Sequence, residues 1–177
     1  MNRIDIINSF IQKYGYKSYL EIGCQYDQTF KKINVERKVG VDPEVGGTMK
    51  MTSDEYFAQN SEKFDIIFID GLHHSEQVLK DIDNSLKILN KGGVIVVHDL
   101  LPTNLEMQLV PRITKAWTGD VWKAWVNLRM NKGNLNMVCI DTDMGCGIIR
   151  RGKQAKLVTK SAIEYKNFEK NKKNCIS

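Results

Sequence analysis

Between Tyr19 and Asp99 the chain repeats one pattern, a short apolar run closed by an acid or a histidine. The runs are Tyr19-Leu20-Glu21-Ile22-Gly23, Val39-Gly40-Val41-Asp42, Ile66-Ile67-Phe68-Ile69-Asp70-Gly71-Leu72-His73-His74 and Val94-Ile95-Val96-Val97-His98-Asp99. Runs that are apolar on both faces, spaced by stretches of helical periodicity, predict buried parallel strands. In an open parallel sheet ligands bind beyond the carboxyl ends of the strands, so the polar residues closing these runs are expected to share one rim.

The segments between the runs predict the rest of an α/β fold. Ile7, Phe10, Ile11 and Tyr14 fall on one helical stripe ending near Gly15, ahead of a first strand at Ser18 to Ile22. Asp27 is placed to cap a short helix carrying Phe30 and Ile33, and Lys38 to Val41 forms the second strand. After Gly46-Gly47, Met49 to Met51 reads as a short third strand, and Thr52-Ser53-Asp54-Glu55 is a capping box. Phe64 to Ile69 is the fourth strand. Ser75 can cap a helix with Val78, Ile82, Leu86 and Leu89 inward, stopped by Gly92-Gly93 before the strand Val94 to Val97. Pro102 and Pro111 then break the pattern, Trp117-Thr118-Gly119-Asp120 is a turn, and Val121 to Arg129 is helical with Trp122, Trp125 and Val126 inward. This region is expected to form a lid or acceptor wall. Met137 to Asp141 and Gly145 to Ile149 flank a turn and should close the sheet as an antiparallel pair.

Composition adds limits. The 177 residues, 42% hydrophobic and 27% charged, suit one domain spanning 1–177 with a real core. No apolar stretch reaches the roughly 18 residues of a membrane span and no signal-peptide pattern opens the chain, so a cytoplasmic location is expected. Cys24, Cys139, Cys146 and Cys175 form no C-x-x-C pair and read as reduced thiols. The net charge of +5 is localised: from Arg150 onward nine Lys or Arg face only Glu164 and Glu169, so the body is slightly acidic. Residues 150–177 are read as a basic strand end and helical tail, and nucleic acid is not the expected partner.

A glycine beyond the first strand and an acid about twenty residues later match a nucleoside site, with Asp42 accepting the ribose hydroxyls. The pyrophosphate fingerprint G-x-G-x-x-G is absent, because Cys24-Gln25-Tyr26-Asp27 follows Gly23. Glu21 would face the ligand, which suits an ammonium and a sulfonium and points to S-adenosylmethionine. With these residues the chain resembles the class I S-adenosylmethionine-dependent methyltransferases. The stretches Phe68-Ile69-Asp70-Gly71-Leu72-His73 and Gly92 to Asp99, with Gly119-Asp120-Val121-Trp122-Lys123-Ala124-Trp125, are similar to macrocin-type and glycan sugar O-methyltransferases. The resemblance implies a Rossmann-like, seven-stranded, mostly parallel sheet with an antiparallel last strand and helices on both faces. It also implies S-adenosyl-L-methionine as cofactor and a small-molecule or glycan acceptor, with a homo-oligomer among the arrangements allowed.

The expected cofactor-binding residues are Glu21, Gly23, Cys24, Asp42, Ser53 and Asp70. Ser53 could meet the adenine amine or simply cap its helix; Cys24 lies beside the ligand but has no base to make it a nucleophile. Asp70, His73 and Asp99 are the catalytic candidates. Three readings of this cluster compete. Relatives carry two adjacent acids where this chain has His98-Asp99, so Asp70, His98 and Asp99 could hold Mg²⁺ or Mn²⁺ to activate an acceptor hydroxyl. Alternatively His73 takes the hydroxyl proton without a metal, or the histidines are ordinary loop residues. Methylation of RNA or protein through the basic tail, and S-adenosylmethionine binding without catalysis, stand as other functions.

Overall fold

The computed structural model describes residues 1–158 and 163–176. Its centre is a six-stranded sheet in the order β2-β1-β3-β4-β6-β5. The strands are β1 (Ser18–Ile22), β2 (Arg37–Val41), β3 (Phe64–Ile69), β4 (Leu89–Val97), β5 (Leu135–Ile140) and β6 (Cys146–Arg151). The first four run parallel, whereas β6 pairs antiparallel with β4 and β5 with β6. This is the expected mostly parallel Rossmann-like sheet. The chain winds outward from β1 to β2, then crosses to β3 on the other side of β1, so the order reverses between β1 and β3. A crevice opens at such a switch point.

Helices cover both faces. On one, α2 (Ser53–Gln59), α3 (Ser75–Ile88) and α4 (Val121–Asn131) bury Tyr56, Val78, Ile82, Trp122 and Trp125 against Leu20, Ile67 and Ile95. On the other, α1 (Arg3–Tyr14) lays Ile6, Ile7 and Ile11 over Tyr19, Ile66, Phe68 and Val96. The core positions of Trp122 and Trp125 agree with their helical spacing. Among the described residues no helix is long and apolar enough to cross a membrane.

Several local expectations give way to tertiary contacts. The third of seven expected strands contracts to one bridge between Val41 and Met49, because the Gly46-Gly47 loop folds back onto Gly40 through Thr48 and Met49. Asp27 caps no α-helix. It adopts φ +61° and its carboxylate accepts from Gly47 N at 2.7 Å, leaving only a 3₁₀ turn at Phe30–Lys32. Ser75 is not the cap of α3. The first helical N–H is met instead by Asp120, which accepts from Ser75 N at 2.7 Å and from its hydroxyl at 3.1 Å. Gly92-Gly93 does not precede its strand but lies inside β4, where the pairing with β3 shifts register between Phe64 and Ile66. Leu89, expected on the helix, pairs with Phe64 as the first residue of β4.

Cys24, Cys139 and Cys146 are free and buried; the side chain of Cys175 lies outside the described residues. The tail is a helix, α5 (Tyr165–Ile176), and Phe168 stacks on Trp122 at 4.5 Å between ring centroids. Phe168 is 5% exposed, so α5 extends the core instead of projecting from it. Phe168→Ala is expected to cost about 3 kcal/mol of stability in a denaturant titration, the range for truncating a buried aromatic. A loss below about 0.5 kcal/mol, the scatter of surface substitutions, would show that this contact contributes nothing to the fold.

Candidate active site

Parallel pairing levels the strand ends. Asp70 N donates to Ile22 O, His98 N to Ile69 O and Gly23 N to Val41 O, so four strands finish in one row. Gly23, at φ +86°, has its missing Cβ directed into the Asp70 carbonyl and the Gly71 backbone, so any side chain there would force β1 and β3 apart. Every described non-glycine residue with positive φ lies at this rim: Gln25, Asp27, His73, Asp99, Asp143 and Met144. Clustering of costly conformations is a mark of a functional rim.

On the β1–β2 side, the Asp42 carboxylate organises the loop after Gly23. One oxygen accepts from Cys24 N and Gln25 N at 3.1 and 2.8 Å, the other from Glu44 N and Val45 N at 2.9 and 3.0 Å. Burial opposes the charge, but these backbone bonds outweigh it and hold the carboxyl below its ordinary range. Four donors use the four lone-pair directions of a carboxylate. Ribose hydroxyls could be accepted here only in exchange for some of them. Glu21, 1% exposed, has a different character. Burial pushes its carboxyl up to about 8, the hydrogen bond from Tyr19 working against the rise. Cys24 is a poor nucleophile, since burial and the neighbouring Glu21 raise its thiol far above its usual value. Ser53 opens α2, where its hydroxyl accepts from Gln77 Nε2 at 3.2 Å, and the helix cap is Thr52.

Beyond β3 and β4 lies a dense charge cluster. His73 sits between two carboxylates, with Nε2 at 3.3 Å from Asp70 and Nδ1 at 3.1 Å from Asp99. His98 Nδ1 lies 3.2 Å from Asp70 and 3.0 Å from Asp99, while its Nε2 is 3.7 Å from Asp143. Burial lowers the pKa of both imidazoles, but the surrounding carboxylates win. His73 is raised above 6.5, and His98 is pushed up to about 12, chiefly by Asp70. Asp70 is correspondingly held far below the usual carboxylate range by His98 and His73 in spite of its burial.

Two members of the cluster escaped the sequence reading. Asp143, in the β5–β6 turn, accepts from Arg3 N at 2.9 Å and from Arg3 Nε at 2.8 Å. Arg3 then reaches Asp70 Oδ2 with Nη1 at 2.9 Å. Only one local signal marks Arg3: it stands in the first turn of a helix, where the macrodipole favours acids. The separation of 140 residues between Arg3 and Asp143 leaves no local signal for the pair.

The His73 loop is held from outside by the Trp117–Asp120 turn. Trp117 stacks on His73 at 5.3 Å and 17°, Asp120 N donates to His73 O, and Gly119 at φ +59° fits flush against that carbonyl. The segment expected as an acceptor wall thus supports the loop that carries His73.

A metal is the remaining question of composition. Asp70, His73 and Asp99 each offer one ligand atom within 4.8 Å of the others. The arrangement nonetheless does not suit a hard divalent ion. Both oxygens of Asp70 are already engaged, one by Arg3 Nη1 at 2.9 Å and the other by His98 Nδ1 and His73 Nε2 at 3.2 and 3.3 Å.

The fold and residues 20–100 agree with known proteins. Residues 20–100 match the family model described as a methyltransferase domain. Similar solved structures include an O-methyltransferase from Bacillus cereus in complex with S-adenosylhomocysteine, with 14% identity over 83% of this chain and 79% of that one, TM-score 0.61. The S-adenosylhomocysteine-bound methyltransferase PaMTH1 of Podospora anserina is 16% identical over 85% of this chain and 78% of that one, TM-score 0.61. The O-methyltransferase TomG of Streptomyces achromogenes, involved in tomaymycin synthesis and bound to S-adenosylmethionine, is 12% identical over 85% and 79%, TM-score 0.62. No curated protein matches the chain by sequence. The chain thus shares its Rossmann-like α/β fold with these solved methyltransferases.

The Asp42 anchor is directly testable. Asp42→Asn turns one accepting oxygen into a donor facing backbone N–H groups, and is expected to lower stability by about 1–3 kcal/mol in denaturant unfolding. An unchanged midpoint would mean that the carboxylate does not hold the loop.

Proposed function

We propose that this protein transfers the methyl group of S-adenosylmethionine to a hydroxyl of a small acceptor, a sugar hydroxyl of a glycan or glycosylated metabolite being the class the sequence resemblance favours. One observation carries the reading: His73 stands between Asp70 and Asp99 at the carboxyl rim, beside the loop that follows Gly23. An alcohol does not lose its proton unaided at neutral pH, and the rim supplies a group to take it.

The donor is proposed to lie along the loop after Gly23, with Glu21 toward its cationic end, Cys24 and Gly23 along its edge, and Asp42 shaping the loop under the ribose. Ser53 and Asp70 complete the proposed donor contacts. The acceptor oxygen attacks the methyl carbon in line with the sulfur. The new O–CH₃ bond forms as the S–CH₃ bond breaks, the bonding pair stays on sulfur, and neutral S-adenosylhomocysteine leaves. The hydroxyl proton passes to His73 Nδ1, a buried nitrogen with no aligned hydrogen-bond partner in the protein. Asp99, 3.1 Å away, stabilises the imidazolium so formed, and Asp70 holds the ring from Nε2. Trp117, stacked on the ring, limits its rotation. These contacts supply proximity and proton transfer, two contributions an in-line displacement needs.

His73→Ala is expected to lower kcat by roughly 10²- to 10⁴-fold with donor affinity retained. His74→Ala, on the neighbouring residue, is the control and should lose little. A base must be neutral to act, and the carboxylates raise the His73 pKa, so kcat should climb with pH through a value above 6.5. Equal, small losses in both variants, on an acceptor identified by screening sugars with labelled donor, would remove His73 from this role.

Donor binding should itself release a proton. Glu21 is largely neutral at pH 7 because its pKa is about 8, and a nearby sulfonium or ammonium favours the carboxylate. Affinity for S-adenosylmethionine should therefore rise between pH 7 and about pH 9. Calorimetry in buffers of different ionisation enthalpy checks the release, and Glu21→Gln should abolish the linked proton.

A further inference from the structure

We propose that Arg3 is a built-in countercation that takes the place of a divalent metal ion at Asp70 and Asp99. The proposal concerns the charge balance of the rim and holds whether or not methyl transfer is the reaction performed there.

Three carboxylates, Asp70, Asp99 and Asp143, meet at the ends of β3 and β4 and the turn between β5 and β6. Asp99 is 4% exposed and the Asp70 side chain 16%, so neither charge is left to solvent. Charges buried together must be neutralised by groups brought to them. Arg3 is fixed for that purpose on three sides. Its backbone N–H and Nε bond one oxygen of Asp143 at 2.9 and 2.8 Å, its Nη2 bonds the other at 3.1 Å, and Nη1 is left to reach Asp70 at 2.9 Å. A bidentate fork held this way cannot swing aside without leaving Asp143 unpaired. Burial weighs against the guanidinium charge, yet the hydrogen bond to Asp143 and the charges of Asp70, Asp143 and Asp99 keep it firmly ionised.

The His98 ring lies against the same three carboxylates, at 3.2, 3.0 and 3.7 Å from Asp70, Asp99 and Asp143. A metal ion entering between Asp70 and Asp99 would meet the guanidinium at close range and would have to displace Nη1 from Asp70. Coulomb repulsion at such separations is large on the scale of metal affinity. Arg3 is thus a positioning residue: it orients Asp70 toward His73 and excludes metal from the acid pair.

The inference predicts that removing one side-chain charge creates a metal site. Mn²⁺ binding is followed by electron paramagnetic resonance and calorimetry on the full chain, as wild type, Arg3→Met and Arg3→Gln. Gln keeps a hydrogen-bonding group near Asp143 and guards against loss of the α1 docking, and thermal melts verify folding. The wild type should show no stoichiometric site below about 1 mM Mn²⁺, a concentration at which weak carboxylate sites begin to fill. Each folded variant should bind one Mn²⁺ at least about tenfold more tightly than wild type. Adding Asp99→Asn to either variant should abolish that site. Stoichiometric Mn²⁺ binding by the wild type, lost in Asp99→Asn, would overturn the proposal. So would the failure of both charge-removing variants to gain affinity. Since no turnover is measured, a failed methyl-transfer assay leaves this result standing, and the converse holds as well.

Discussion

Parallel pairing of β1, β3 and β4 ends these strands at one level, and that alignment forces Asp70 and Asp99 together in a buried place. Two carboxylates in such a position cannot both remain charged without partners. Arg3 comes from α1, remote in sequence from both acids, and His98 stands next to Asp99 at the end of β4 but 28 residues from Asp70. Asp143, in the hairpin turn beyond, completes the balance by anchoring Arg3. The way α1 and the β5–β6 hairpin dock on the sheet is therefore tied to the charge of the rim as well as to the apolar contacts beneath it.

The other half of the rim uses carboxylates differently. The loop after Gly23 has Gln25 and Asp27 at positive φ, a conformation in which glycine costs nothing and other residues are strained. Asp42 and Asp27 offset that cost through hydrogen bonds to backbone N–H groups at both ends of the crevice wall. A glycine-rich loop would gain mobility; this one is tied down before any ligand arrives.

His73 is fixed by comparable over-determination. Carboxylates flank both ring nitrogens, an indole stacks on its face, and its carbonyl is clamped by Gly119 and Asp120. Asp120 simultaneously caps α3, so the start of the helix and the orientation of the histidine are one structural feature. A ring held in this way can accept a proton with little reorganisation, which is the property a general base at a crevice needs.

Periodicity and strand-end chemistry were enough to place β1 to β3, the second half of β4, α1, the inward tryptophans and the strand-end cluster of Asp70, His73 and Asp99. Those features depend on local spacing, which the chain carries in its own order. Tertiary structure decided what each group touches. It shortened the third strand to the bridge at Met49, gave the α3 cap to Asp120, filled the lone pairs of Asp42 with backbone donors, and brought Arg3 and Asp143 to Asp70. Apart from the Glu44 and Val45 donors, which follow Asp42 by two and three residues, these contacts could not be read from neighbours in sequence, because they answer a requirement that exists only after collapse. Buried charges and open backbone groups must find partners wherever the packed chain provides them.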